Sequence, residues 1–421
     1  MADTVQDGVR KTNDRMYAVM LGIAALLAVF AAVAQPDGSI LTGFWAIQMG
    51  ECGLITDPIV TGGMGAALLN ASLMLLASTI LLRRLRLPFT GMSFACLFMM
   101  AGFALLGKNL VNTLPILLGG WLYARFRREP FAKYVYTTLF GTCLSPMVSY
   151  LLNHLGPGAR WGAMLLCGAV IGFLVPAVSA YTVRIHQGYN LYNVGVSAGF
   201  VGLGLASVLK GFGVEFTTET TWSQDNGPLL DVMMWLLLAL LVALGILLGC
   251  RSVGGYRRIL RHSGRSVADF VALDGPAAVL VNMGLVGMIG LVYLRIAGVG
   301  LNGPLICCVF AMVGFAAFGK HPRNVLPVMA GAVLCALVMG DISPTAPGVL
   351  LATMLCTGLS PIAGQFGWYW GVAAGFLHMA IVQHTSFLHG GMNLYNNGFA
   401  AGLTCVLMIP IIEAVRPEPK E

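Results

Sequence analysis

The chain has 421 residues, 57% of them hydrophobic and only 10% charged, with a formal net charge of +7 and a mean hydropathy of +0.82. A soluble globular domain carries about 25% charged residues, so that class is excluded and an all-α integral membrane protein is expected. The basic excess lies between apolar runs, where it reports topology rather than a nucleic-acid surface.

Residues 1–16 hold Asp3, Asp7, Arg10, Lys11, Asp14 and Arg15 and read as a cytoplasmic tail. They lack the small-residue cleavage site of a signal peptide, so the first apolar run is expected to stay as a helix. Fourteen apolar segments follow, at roughly 17–35, 59–82, 89–107, 109–126, 134–151, 162–183, 192–210, 230–249, 274–296, 301–319, 323–339, 346–364, 368–388 and 396–414. A helix needs about 20 residues to cross a bilayer; the short or Pro- and Gly-containing segments are expected to cross or to re-enter. The chain divides into a first membrane repeat (17–212), an external acidic loop (213–229, with Glu215, Glu219 and Asp225) and a helix leading the second repeat (230–250). A basic cytoplasmic loop (251–268), the second repeat (269–415) and a cytoplasmic tail (416–421) complete it. With the N-terminus in the cytoplasm, only Lys108, Arg160, Lys210 and Arg295 of the 24 Lys and Arg fall outside, as the positive-inside rule requires. The expected setting is the lipid bilayer of a bacterial cytoplasmic membrane with both termini inside. Ten cysteines, without a Cys-x-x-Cys pair, read as packing residues, so no metal or cofactor is expected.

The chain is duplicated. Residues 57–126 align with 269–338 at a constant offset of 212 with 23 identities, among them Asp57/Asp269, Asn70/Asn282, Lys108/Lys320 and Pro115/Pro327. A Thr-x-x-x-Thr-x-Leu-Ser-Pro block follows in both copies, and then His-x-Gly-x-Asn-Leu-Tyr-Asn-x-Gly-x-x-Ala-Gly at 186–199 and 389–402. Seven segments per copy is an odd number, so the second copy must insert upside down, as an inverted-topology repeat.

The polar groups inside apolar runs are the candidate site, because an intramembrane polar cluster is costly unless it faces protein or a water-filled cavity. Asn190, Tyr192 and Asn193, with Asn393, Tyr395, Asn396 and Asn397, are expected to line a central solute site at two helix starts. The alternative is capping plus close packing through Gly195-x-x-x-Gly199 and Gly398-x-x-x-Gly402, but capping needs neither the tyrosines nor both asparagines. His186, His384 and His389 suit proton coupling, since His titrates near neutral pH. Lys108 and Lys320 close Gly-Phe-Ala-x-x-Gly-Lys runs; Asn109 and His321 stand where a phosphate loop needs Ser or Thr, and no strand precedes, so nucleotide binding is rejected. They are expected at tight hairpin tips, paired with Asp57 and Asp269 or acting as gates or anion contacts. Thr142, Ser145 and Pro146, and Thr357, Ser360 and Pro361, predict a discontinuous helix in each copy, since Pro removes a helix hydrogen bond and Ser or Thr can satisfy the freed backbone.

The duplicated His-x-Gly-x-Asn-Leu-Tyr-Asn signature and the Asp269-Phe-Val-Ala-Leu-Asp274-Gly275 run resemble a family of bacterial polytopic membrane proteins known only as a domain of unknown function. That resemblance covers most of the chain and implies no activity. The residues themselves lead to a secondary transporter of a small polar or anionic solute, with alternating access around a midplane site and H+ or Na+ as coupling ion. A channel for a small neutral solute and a membrane-embedded enzyme on a lipid-like substrate are the alternatives. The sequence has no Gly-x-Ser-x-Gly, His-Glu-x-x-His or coupled carboxylate pair, so an enzyme is not expected.

Overall fold

The computed structural model describes residues 2–224, 226–249, 253–266, 268–340 and 343–415, and among these every regular element is helical. The first half contains α1 (Ala2–Ala34), α2 (Ile40–Met49), α3 (Pro58–Gly62), α4 (Met64–Arg84), α5 (Gly91–Ala104), α6 (Leu110–Phe126), α7 (Val135–Gly141), α8 (Ser145–His154), α9 (Arg160–His186) and α10 (Asn193–Gly211). The second half runs through the same series: α11 (Leu229–Leu247), α12 (Val253–Ile259), α13 (Phe270–Asp274), α14 (Pro276–Ile296), α15 (Gly303–Phe315), α16 (Pro322–Val338), α17 (Pro347–Leu355), α18 (Ser360–Phe366), α19 (Trp368–Val382) and α20 (Asn396–Val415).

Nine stretches among the described residues are long and apolar enough to cross a membrane: Arg10–Ala34, Met64–Arg84, Val135–His154, Arg160–His186, Asn193–Gly211, Leu229–Leu247, Pro276–Ile296, Pro347–Phe366 and Asn396–Val415. The chain is a multi-pass membrane protein. The other five expected segments are the shorter helices α5, α6, α15, α16 and α19. At 1.5 Å per residue, the 14 residues of α5 and 13 of α15 reach only about 20 Å, against an apolar bilayer core of roughly 30 Å.

The two short helices form the centre. Nearly every residue of each is buried, so both sequences are apolar all round rather than amphipathic. They pack antiparallel: Gly91 abuts Ala317 while Gly303 abuts Leu105. Phe98 and Phe310, equivalent under the 212-residue offset, meet edge to face with ring centroids 5.5 Å apart. Each short helix ends in a tip built identically in both copies. Gly107 and Gly319 adopt φ of +104° and +142°, a left-handed turn that suits glycine. Asn70 Nδ2 then donates to the carbonyls of Ala104 and Lys108, as Asn282 Nδ2 does to those of Ala316 and Lys320. Outside this centre, α6 locks onto α9 and α16 onto α19 through backbone contact. A Cβ on Gly172 would lie 1.9 Å from the Ile116 carbonyl oxygen, and one on the equivalent Gly375 1.9 Å from that of Val328. A methyl group at either would push the helices apart, at a cost of about 1–3 kcal/mol.

Two expected boundaries change. Residues 2–16 are not a separate tail but continue α1, and this extension docks: Asn13 Oδ1 accepts from the Phe89 N–H at 3.1 Å, and Tyr17 donates to the Leu87 carbonyl at 3.0 Å. The expected basic loop includes α12, held where Arg258 Nε and His262 Nε2 reach the Asp274 carboxylate at 3.2 and 2.7 Å. Asp225 and the expected tail 416–421 lie outside the described residues.

Candidate functional site

The two Asn-Leu-Tyr-Asn segments form the loops that enter α10 and α20. In each, the first asparagine makes a tight local turn: Asn190 Oδ1 accepts from the Tyr192 N–H and Asn393 Oδ1 from that of Tyr395, both at 2.9 Å. Each loop is then seated on the opposite copy. The Leu191 N–H donates to the Gly358 carbonyl and the Leu394 N–H to that of Cys143, both at 3.0 Å. Those acceptors are available because the Ser-Pro segments are interrupted. A 3-10 turn at Thr142–Leu144 separates α7 from α8, and one at Cys356–Leu359 separates α17 from α18. Pro146 and Pro361 sit in the first turns of α8 and α18, where a missing N–H costs little. Thr142 and Thr357 donate to the carbonyls of Leu139 and Met354 at 2.5 and 2.6 Å. Ser145 and Ser360, at the new helix starts, leave buried hydroxyls without partners.

The second asparagine of each motif organises a polar cluster. Asn193 Oδ1 accepts from Thr182 at 2.7 Å and pairs with His186 Nε2 at 2.9 Å, while its Nδ2 donates to Ser179 Oγ at 2.9 Å. Asn396 Oδ1 repeats this with Thr385 at 2.9 Å and His389 Nε2 at 3.0 Å. An amide oxygen that accepts fixes each imidazole as an Nε2–H donor, and Nδ1 of both rings has no partner. His384 is not in this cluster; it is exposed on the turn after α19. The clusters differ in their surroundings. Ser179 and Ser197 of the first copy are Val382 and Ala400 in the second, whereas Val175 and Val194 become His378 and Asn397, which pair at 3.3 Å.

Two unequal cavities reach these asparagines. One, of about 490 Å3, lies between the segment carrying Phe216, Thr218 and Glu219 and the wall formed by Gln383, Asn396 and Asn397. The other, of about 110 Å3, is bounded by Tyr136, Ser179, Asn193, Phe315 and the two motif tyrosines. Tyr192 and Tyr395 touch each other with centroids 5.0 Å apart, beside the close approach of Gly195 to Gly398. Tyr395 therefore borders the small cavity while the next residue faces the large one.

The charged candidates separate from one another. Lys108 and Lys320 are fully buried, and neither has a carboxylate within 4 Å among the described residues. The expected Asp57–Lys108 and Asp269–Lys320 pairs do not form, because both aspartates cap helix starts. Asp269 accepts from the Val271 N–H at 2.9 Å and from the Gly91 N–H, the first residue of α5, at 3.0 Å. Asp57 accepts from the Ile59 N–H and the Ser223 N–H, each at 3.0 Å, and from the Ser223 hydroxyl; its carboxylate also faces Gly303, the first residue of α15. Each aspartate thus holds the central helix of the other copy, and the N-terminal end of a helix favours such a negative charge. Thr182 and Thr385 complete the polar clusters without having been singled out from the sequence. Their signal was present: both stand four residues before a motif histidine, 203 residues apart.

No curated protein and no solved structure matches the chain. A family model does, at residues 36–211 and again at 250–414, so that both matched stretches contain one Asn-Leu-Tyr-Asn loop and one interrupted helix. The chain therefore belongs to the family described as protein of unknown function (DUF1576).

Proposed function

We propose that the protein is a secondary transporter of a small polar or anionic solute in the bacterial cytoplasmic membrane, with both termini cytoplasmic and its two repeats inserted with opposite topology. One observation carries this reading: two equivalent asparagine clusters open on separate cavities of about 490 and 110 Å3, with the touching Tyr192 and Tyr395 rings lining the smaller. A site built twice but accessible unequally is what alternating access requires. The antiparallel α5–α15 pair, with Phe98 against its own equivalent Phe310, supports a two-fold axis in the membrane plane. On the positive-inside reading the larger cavity, edged by Glu219, is external. Solute then enters against Asn396 and Asn397, the repeats rock, and Asn193 opens on the cytoplasmic side. His186 and His389 hold the asparagines through Nε2 and keep Nδ1 for a proton, which suits proton coupling.

A channel for a neutral solute would use the same asparagines but would need the tyrosines apart. The test is uptake of labelled formate, acetate, nitrate, urea and glycerol into liposomes carrying the protein. Saturable uptake driven by a proton or sodium gradient is expected. Flux that neither saturates nor follows a gradient would point to a channel, and a chemically altered product to an enzyme.

A further inference from the structure

The lysine tips assemble one cluster twice and satisfy it once. Phe315, Lys320 and Tyr192 are the repeat-equivalents of Phe103, Lys108 and Tyr395. In the first trio, Lys320 Nζ donates to Tyr192 Oη at 2.5 Å and to the Ala311 carbonyl at 3.3 Å, and the Phe315 and Tyr192 rings meet with centroids 4.8 Å apart. In the second, the Phe103 and Tyr395 rings meet in the same way at 5.2 Å, but the polar atoms do not pair. Lys108 Nζ reaches only Met100 Sδ at 3.6 Å and the Phe103 ring at 4.7 Å. The Tyr395 hydroxyl has no partner, nor does Nδ2 of Asn393, two residues earlier on the same loop, although the equivalent Asn190 Nδ2 donates to the Gly398 carbonyl at 2.9 Å.

The unpaired groups share one property: each can donate a hydrogen bond, and Lys108 and Asn393 Nδ2 can only donate. A neutral solute such as urea or glycerol presents donors of its own and would call for acceptors beside them. An anion calls for donors and a positive charge. A buried ammonium without a counter-charge costs several kcal/mol in most settings, and a methionine would fill the same space without that cost. Tyr395 also bounds the 110 Å3 cavity, which Lys108 and Asn393 do not line.

We infer that the solute is a small monovalent anion and that Lys108 and Tyr395 donate to it directly, with the Lys320–Tyr192 pair as the same half-site in its closed, self-satisfied state. The inference rests on the transport reading for its role in a cycle, but the binding site can be tested apart from transport.

The experiment is a thermal titration of the purified full-length chain with sodium chloride, nitrate, formate or acetate, using gluconate to hold ionic strength constant. At least one of the small anions is expected to raise Tm saturably. Lys108→Met is expected to raise Tm in gluconate, by removing a buried charge, and to abolish the anion-dependent rise. Tyr395→Phe, which keeps the ring contacts, is expected to weaken the apparent affinity about tenfold, the loss of one hydrogen bond to a charged group. Absence of any saturable anion effect overturns the inference, as does a Lys108→Met protein that keeps the wild-type response. If Lys108→Met does not fold, unchanged affinity in Tyr395→Phe overturns it equally. Anion binding without gradient-driven uptake would leave this site standing and remove the transporter reading. Coupled uptake of a neutral solute that is unaffected by Lys108→Met would do the reverse.

Discussion

Alanine at Asn193 or at Asn396 is expected to lower solute uptake about a hundredfold, the loss of two hydrogen bonds from each amide. The two variants should differ in stability. Asn193 ties together Thr182, His186 and Ser179, so its removal leaves His186 Nε2 and Ser179 Oγ unpaired, while Thr182 keeps Ser197, and should cost about 1–3 kcal/mol. Asn396 holds Thr385 and His389 but borders the 490 Å3 cavity, where water can replace the lost amide. Uptake measured beside Tm checks both parts. Equal, small effects on uptake at the two positions would mean that these asparagines only cap α10 and α20.

Replacing Tyr192 and Tyr395 together with alanine is expected to collapse coupled accumulation and to create a leak. Both rings line the smaller cavity and touch each other, while Asn396, the residue after Tyr395, lines the larger, so removing both rings is expected to open one cavity toward the other. Accumulation against a gradient should fall to background while passive efflux rises at least tenfold. Phenylalanine at either position keeps the rings and should not leak. A double-alanine protein that is folded, impermeable and inactive would place the barrier elsewhere. One that still accumulates solute would remove the tyrosines from the gate.

Much of this arrangement was legible in the chain because it was written twice. Duplication paired Asn193 with Asn396, Lys108 with Lys320 and the two Ser-Pro blocks, and each pair occupies equivalent places in the fold, though with different neighbours. Hydropathy located the nine stretches long and apolar enough to cross a membrane among the described residues, but it passed over the short α2 and did not give the length of each helix. A segment apolar on every side reads as a membrane span even when, like α5 and α15, it is a short helix enclosed by protein. The roles of Asp57 and Asp269 were hidden for a different reason. Equal depth suggested pairing with the lysines, whereas each carboxylate reaches the helix start of the opposite copy, a contact that no spacing within one copy encodes. His384 shared an apolar run with the cluster residues, yet α19 ends at Val382 and the following turn carries its side chain outward.

The central claim, that the two cavities open alternately, is tested most directly by labelling from each side of the membrane. Gln383 lines the larger cavity and Thr137 the smaller. Among the described native cysteines only Cys167 is half-buried and the rest are buried, so Gln383→Cys and Thr137→Cys in a background lacking Cys167 and Cys250 should report cleanly. With a membrane-impermeant thiol reagent, Gln383→Cys is expected to react from outside and Thr137→Cys slowly from inside. A transported solute applied on one side should then change the two rates in opposite directions. Rates that are both high and insensitive to solute would mean a continuous pore and would contradict alternating access.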